Sequence, residues 1–164
     1  MAVVAIKSAA LTNRDATPKV LNNPNAGNAG IVRNTFGRVT STSGDSTGSV
    51  YRCVEVPSNA RVKSVRLFTT ALGGSAAADI GVYRNTADGG AVVTAAVFAT
   101  ATTLVSAVAG TEMAATITIA KREQPLWQAA GMSADPGGTL DIALTLTAAS
   151  AASTDVGLDV DYVL

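Results

Sequence analysis

The residue types that most often carry chemistry are nearly absent from this chain. Its 164 residues include no histidine and a single cysteine, Cys53. Histidine is the side chain whose ordinary pKa suits proton transfer near neutral pH, and zinc sites depend on cysteine and histidine. The lysines and carboxylates that are left lie scattered along the sequence. We therefore expect a protein with no catalytic residue, no cofactor and no bound metal, which binds and assembles.

The densest group of carboxylates lies near the C-terminus and consists of Asp141, Asp155, Asp159 and Asp161. Such a group suggests either a cation site or the solvated face of a strand. We favour the strand face, because no glycine-bearing ligand loop accompanies these residues. The three Gly-Gly pairs are interpreted as turns, since none has the lysine and the strand–loop–helix context of a phosphate-binding loop.

Cys53 lies in the β-like run Val50–Val56, where we expect a small buried hydrophobic residue. It has no histidine to activate it as a nucleophile. One cysteine cannot form an internal disulfide, so the chain fits a reducing compartment. No basic residue precedes the apolar N-terminal stretch, so we expect no signal peptide. The longest apolar runs are too short for a membrane-spanning helix.

Charge is polarised along the chain although the formal net charge is zero. Residues 1–66 carry a net charge of +6, and residues 67–164 carry −6. Either the two halves neutralise each other within one fold, or a basic arm meets the acidic surface of a neighbouring subunit. No run of lysine and arginine interleaved with aromatics occurs, so nucleic acid is not an expected partner.

Strict period-two alternation in the last two segments predicts strands with one buried face. In Thr139–Thr147 every second residue is leucine or isoleucine, and in Asp155–Leu164 the apolar residues again alternate with polar ones. The short link of small and polar residues between them, Ala148–Ser153, predicts a hairpin. Within the first strand, Leu144 should face the core and Thr145 should face away from it.

Strand-like runs recur from Phe36 onward, separated by glycine, proline and asparagine turns. They are Phe36–Thr42, Val50–Val56 (with Val50, Val54 and Val56 on one side), Ala60–Ala71, Ala77–Arg84, Ala91–Phe98 and Thr116–Ala120. A short helix is predicted in Gln124–Met132, where Pro125 comes early and Gly131 late. Val93–Val108 is rich enough in alanine to be an alternative helix. Seven or eight strands with one helical turn predict an all-β fold, a β-sandwich or jelly roll.

Residues 1–35 differ from the rest and are interpreted as an extended N-terminal arm, with residues 36–164 as the β-sandwich domain. The arm is rich in asparagine, contains Pro18 and Pro24 and shows little periodicity. A bare segment this long is uncommon in a compact domain. The arm's apolar residues are predicted to lie against a partner: Val3, Val4, Ile6 and Leu11.

A second predicted contact surface is the charged turn around the one tryptophan, Trp127, with Lys121 and Arg122 preceding it. Tryptophan anchors are common at protein interfaces. The alternative is a core tryptophan beside a solvated segment. Arg33, in the basic arm, is assigned to the interface as well.

Three stretches resemble the head decoration, or cement, proteins of tailed bacteriophages. They are GSVYRCVEVPSNARVKSVRL, ADIGVYRNTADGGAVV and AKREQPLWQAAGMSADPGGTLDIALTLT, and the resemblance covers residues 36–164. The resemblance lies in the overall pattern of residues and includes no catalytic motif. It implies a jelly-roll-like protein on the outer surface of a virion, bound to the shell of major capsid protein.

The resulting hypothesis is a virion structural protein that stabilises a capsid through many non-covalent contacts, with the major capsid protein and itself as partners and no membrane contact. One alternative is another phage head or tail subunit, such as a connector, tail-tube or fibre-base protein. Another is a carbohydrate-binding β-sandwich module, for which the candidate aromatics are Trp127, Tyr51, Tyr83 and Tyr162.

Overall fold

The alternating apolar residues of the sequence form eight β-strands. The computed structural model describes residues 7–18, residue 20 and residues 31–164. The strands are β1 (Arg33–Thr40), β2 (Val50–Pro57), β3 (Arg61–Thr69), β4 (Ala77–Arg84), β5 (Val92–Thr103), β6 (Val108–Glu112), β7 (Thr139–Ala148) and β8 (Asp155–Val163). The short helices are α1 (Ala9–Asp15), α2 (Ile119–Arg122) and α3 (Leu126–Ala129).

The strands form two four-stranded antiparallel sheets, in the orders β1-β8-β3-β6 and β2-β7-β4-β5. The pairs are nested along the chain: β4 pairs with β5, β3 with β6, β2 with β7, and β1 with β8. The chain thus forms four nested antiparallel strand pairs, which fold into two packed sheets. This is the topology of a jelly roll. The predicted all-β fold is confirmed.

The core lies between the two sheets and is aliphatic. Its fully buried members come from both sheets, as the alternation in the sequence predicted, and include Leu140, Ile142, Leu144 and Leu146 of β7 and Val156, Leu158 and Val160 of β8. Ile80 and Val82 of β4 are buried with them. One aromatic side chain, Phe98 of β5, is fully buried in the same cluster. Few aromatics are needed because two stacked sheets leave only about 10 Å between them.

The predicted hairpin between β7 and β8 is wrong, because the two strands lie in different sheets. The link between them, residues 149–154, crosses from one sheet to the other. Ser150 and Ala151 in this link bond to the backbone of Asp45 and Leu72 at 3.0 and 2.9 Å. A short polar link is compatible with either a hairpin or a crossing, so the sequence alone favoured the commoner hairpin.

A β-bulge in β2 alters the predicted face of this strand. The register with β7 shifts between Arg52 and Val54, so Tyr51 and Val54 both turn inward. Val50, predicted to share the inner face with Val54 and Val56, is exposed instead. A single extra residue reverses the alternation on one side of a bulge, which period-two reasoning does not detect.

Two further local predictions are corrected. The alanine-rich segment 93–108 belongs to strands β5 and β6 and not to a helix. Thr116–Ala120, predicted as a strand, ends a 3-10 turn and enters α2. The helix predicted in Gln124–Met132 is present but short, as α3. Within the described residues, no helix is long and apolar enough to cross a bilayer.

The N-terminal segment is not uniformly extended. Residues 9–15 form α1, with Ser8 as N-cap, its hydroxyl accepting a bond from the backbone of Leu11 at 3.4 Å. A serine at this position satisfies a free N–H group of the first turn, and this cap signal was outweighed by the asparagines and prolines that follow. Strand β1 begins at Arg33, inside the segment assigned to the arm.

Candidate interaction surface

The predicted basic and aromatic contact residues fall on α2 and α3. Arg122 is half-buried, and its guanidinium donates to the Ala114 carbonyl oxygen at 2.7 Å, so it holds the 3-10 turn in place. Lys121 is exposed. Trp127 packs on the edge of the core and its backbone N–H donates to the Ser58 carbonyl at 3.1 Å. Trp127 thus serves the core in part, and its role in binding stays a prediction.

The other predicted contacts lie in or next to the N-terminal segment. Val3, Val4 and Ile6 lie outside the described residues. Leu11 is exposed on α1. Arg33 is the first residue of β1, opposite Tyr162 of β8, so it is part of the sheet. Lys121, Arg122 and Trp127 are therefore brought together on α2 and α3, whereas Leu11 and Arg33 lie on other elements.

The clearest exposed apolar surface was not among the contacts predicted from the sequence. It lies on the outer side of the sheet β1-β8-β3-β6, around Phe36 of β1 and Phe68 of β3. Their side chains are 58% and 38% exposed, whereas Phe98 is 1% exposed. The two rings contact each other edge to face, with centroids 6.4 Å apart and an interplanar angle of 75°. Edge-to-face contact fixes the relative orientation of the pair.

Glycines bring both rings down onto the sheet. A Cβ atom at Gly157 of β8 would lie 3.0 Å from the Phe36 ring, and one at Gly110 of β6 would lie 3.0 Å from the Phe68 ring. Glycine inside a strand often marks the close approach of another group. Beside the rings is an apolar groove of about 270 Å³, lined also by Val108 and Ala109.

Two arginines complete the pattern on this outer face. Across the central strand β8, Arg38 and Phe68 are both aligned with Gly157, while Phe36 and Arg66 are both aligned with Asp159. The four side chains thus occupy the corners of a square, with each phenylalanine diagonal to the other. We call this group the Phe/Arg square: Phe36, Arg38, Arg66 and Phe68.

The carboxylates around the square are already paired within the chain. Arg38 contacts Asp155 at 3.1 Å. Arg66 contacts Asp159 and Asp161 at 3.0 and 3.1 Å. Asn34 donates to both of these aspartates as well. Asp155, Asp159 and Asp161 therefore lie on the outer face of a strand, as predicted.

The fourth aspartate, Asp141, lies in the other sheet, where it pairs with Arg52 at 2.8 Å. Arg52 also stacks on the ring of Tyr83, 5.1 Å from the centroid. Three arginines from the basic half of the sequence therefore pair with carboxylates from the acidic half. Through these pairs the two halves partly neutralise each other within one fold. Over the described part of the chain, no three potential metal ligands come together.

Cys53 packs against the core as expected, but it is half-buried and not fully buried. Burial disfavours the thiolate and raises the pKa of the Cys53 thiol to about 12. Such a thiol is protonated at neutral pH and is not a nucleophile.

The sequence contained a weak signal for the Phe/Arg square. Phe36 occupies an outward position between Asn34 and Arg38, so it is an apolar residue on a polar face. Gly157 interrupts a run of aspartates at every second residue. Neither signal is specific without knowing that β1 and β3 flank β8, a relationship that the topology alone supplies.

No protein-family model matches this chain, and no curated protein matches it in sequence. Among solved structures, it is similar to a chain of the cyanophage Pam1 capsid asymmetric unit, with 21% sequence identity and a TM-score of 0.55. The match covers 92% of this chain and 96% of that one. A chain of the acid-stable capsid of Helicobacter pylori bacteriophage KHP30 is 16% identical over 82% of this chain and 94% of that one, with a TM-score of 0.39.

Proposed function

We propose that the protein is a structural component of a bacteriophage virion, and that it binds the outer surface of the capsid as a decoration protein. The observation that carries the proposal is the fold likeness to a chain of the Pam1 capsid, because it extends over nearly the full length of both chains. The pattern resemblance of residues 36–164 to decoration proteins points the same way.

The chemistry of the described side chains supports binding over turnover. The chain has no histidine, and the carboxylates of Asp141, Asp159 and Asp161 are paired with arginines. The one thiol is kept protonated by burial. We therefore propose that the protein is not an enzyme and that its partners are the major capsid protein and further copies of itself.

Stabilisation of a shell does not require any single strong contact. Many copies on one lattice bind with high avidity. A molecule that is already held by one contact makes its next contact at a high effective concentration. The regions that we propose contact the shell are the N-terminal segment and the α2–α3 region, where Ile119 is 83% exposed next to Lys121.

A carbohydrate-binding role is less well supported. Sugar sites commonly use an exposed aromatic ring as a platform, but of the candidates named from the sequence, Tyr51 and Tyr83 are buried, and Trp127 and Tyr162 pack partly on the core. A connector, tail-tube or fibre-base subunit would also be part of the virion. The position at which the protein binds the particle distinguishes these roles from decoration.

The test uses capsids of the phage that encodes the chain, prepared without this protein. Purified full-length protein is added, unbound protein is removed, and the particles are imaged by electron cryomicroscopy. Decoration predicts added density at repeated positions over the whole outer surface and a saturable copy number. Density confined to one vertex or to the tail would support the connector or tail alternative, and an unchanged particle would contradict both.

A further inference from the structure

We propose that Arg84, at the end of β4, binds a carboxylate side chain of the capsid shell protein. This inference rests on the proposed function and names one contact within it. Arg84 lies in a groove of about 500 Å³, which is within the size range of protein ligand pockets. We call this the Arg84 groove, and its lining is Arg84, Val92, Val93 and residues 131–136, the loop that follows α3.

Arg84 occupies a position at which β4 otherwise carries apolar residues. Ala78, Ile80 and Val82 are fully buried, and Arg84 is the next residue in this alternating row. It is also aligned with Leu140 of β7, which is buried in the core. A charged side chain at the end of a core row is an informative exception, because charged residues are seldom withdrawn from water without a partner. The row therefore places a guanidinium at the rim of the core, inside the Arg84 groove.

The guanidinium of Arg84 has no acceptor within the described part of the chain. Four other arginines are half-buried there, and each donates to a carbonyl or carboxylate oxygen: Arg52, Arg61, Arg66 and Arg122. The planar fork of a guanidinium matches a carboxylate through two parallel hydrogen bonds. Arg84 is therefore available to make with a partner the kind of contact that Arg66 makes within the chain.

The walls of the Arg84 groove are held in place by the fold. The Arg84 N–H donates to the Ala91 carbonyl at 2.8 Å, and the Arg84 carbonyl accepts a bond from the Arg52 guanidinium at 2.7 Å. The Thr94 hydroxyl of β5 donates to the Ala130 carbonyl at 2.6 Å, which ties the end of α3 to the sheet. Groups that are already fixed lose less entropy when a partner binds.

The lining of the groove also includes a carboxylate. Asp135 accepts bonds from the Ser58 hydroxyl at 2.6 Å and the Gly137 N–H at 2.9 Å, and it forms no ion pair with Arg84. A free anion such as phosphate would gain the contact with Arg84 but would lie near this negative charge. A polypeptide segment fits better, because its acidic side chain meets Arg84 while a backbone N–H donates to Asp135. The groove therefore favours an acidic residue that belongs to a protein.

Continuity with the α2–α3 region assigns this acidic residue to the shell protein. Residues 131–136 follow α3, and the Met132 N–H donates to the Trp127 carbonyl at 3.0 Å. The α2–α3 region is one that we propose contacts the shell, so a partner seated on it reaches the Arg84 groove without a second interface. Val92, in the lining, is 55% exposed and offers an apolar contact beside the charge.

The first test is the binding of full-length protein to capsids prepared without it, measured as copies bound against free concentration. Arg84→Gln should weaken binding by about tenfold, because a charge-assisted hydrogen bond is lost. Arg84→Lys should weaken it by about threefold, since the charge remains but the fork geometry does not. The matched control Arg38→Gln removes the same charge from an exposed surface pair and should change binding by less than about twofold. Arg84→Gln should leave the melting temperature unchanged, since no described hydrogen bond of the folded chain is lost.

A second variant separates a polypeptide from a free anion. Asp135→Asn keeps an acceptor oxygen for Ser58 and Gly137 but removes the charge, so it should weaken capsid binding by about twofold. Tighter binding would indicate a free anion and overturn the proposal. Equal binding by the wild type and Arg84→Gln would overturn it while the proposed function stands, as would equal losses in Arg84→Gln and Arg38→Gln. A wild-type protein that does not bind capsids at all would overturn both.

The partner carboxylate is identified by carbodiimide treatment of decorated particles that carry Arg84→Lys. This reagent joins an amine to a carboxylate when the two groups are in contact. Mass spectrometry should therefore find residue 84 linked to an aspartate or glutamate of the shell protein. Wild-type particles are the control, because a guanidinium does not form this link. A link to another copy of this chain, a link to Asp135 alone or the absence of any link at residue 84 would overturn the proposal.

Discussion

Gly37 of β1 lies against the backbone of Cys53 in β2: a Cβ atom at residue 37 would lie only 1.7 Å from the Cys53 carbonyl oxygen. β1 and β2 are edge strands of the two different sheets. Their close approach closes one side of the sandwich, and it requires a residue without a side chain.

Gly37→Ala is therefore expected to lower the free energy of unfolding by about 3 kcal/mol, because a backbone carbonyl cannot move aside as a side chain can. Chemical denaturation measures the loss. The matched control is Gly157→Ala, whose new methyl group would meet the end of the Phe36 ring at 3.0 Å. This ring can shift outward, so the control should lose about 1 kcal/mol or less. Equal losses would show that the two sheets do not close at Gly37.

Leu144→Asp should unfold the domain, since Leu144 is fully buried in β7 and an unpaired buried charge costs several kcal/mol. Thr147→Asp, on the same strand but exposed, should leave the melting temperature nearly unchanged. Thr147 is a better control than Thr145, whose hydroxyl contacts the Tyr83 hydroxyl. Circular dichroism of both variants provides the measurement, and similar behaviour of the two would refute the register of β7.

Cys53 should resist modification in the folded protein. Its pKa of about 12 leaves little thiolate at pH 8, so reaction with Ellman's reagent should be slow until denaturant is added. Folding raises the pKa of the Cys53 thiol. The contribution of this thiol to the stability of the fold is therefore present below the pKa of the unfolded chain, and it is lost as the pH rises towards 12. Rapid labelling without denaturant would show that the thiol is accessible and ionised.

The carboxyl group of Asp45 gives the stability of the fold a pH dependence of the opposite sign. Its carboxylate accepts bonds from the Tyr51 hydroxyl at 2.6 Å and the Thr42 N–H at 2.8 Å, and the Tyr51 bond is the larger cause of its lowered pKa. A lowered pKa favours folding above the unfolded value, and the advantage is lost as pH falls through the folded value. Asp45→Asn should therefore flatten the decline in melting temperature below about pH 4. An unchanged acid profile in this variant would exclude Asp45 as a contributor.

Deleting residues 1–30 should leave the β-domain folded, because every strand that the structure describes lies within residues 33–163. The melting temperature of the monomer should remain close to that of the full chain. The same deletion is expected to weaken capsid binding, since ordering a long segment requires substantial contact with a partner. If the truncated protein decorates capsids as well as the full chain does, the N-terminal segment is not the anchor.

Local pattern predicted the elements whose burial is decided within a few residues. The alternation around Leu144 and Val160 identified β7, β8 and their inner faces, because a two-residue repeat reflects one buried side of a sheet. The absence of histidine and the setting of Cys53 also led us to expect a protein built for binding, and this stays a prediction. The interpretation of the aspartates as a strand face followed from the same alternation.

Tertiary structure decided everything that depends on which strands are neighbours. The link after β7 crosses between sheets, and only the nested pairing of eight strands reveals it. Phe36 and Phe68 are 32 positions apart, and no local pattern relates them; β8 brings them together because β1 and β3 pair on its two sides. Strands such as β7 and β8 were therefore determined by the chemistry of adjacent residues, whereas the exposed Phe/Arg square arose from long-range pairing.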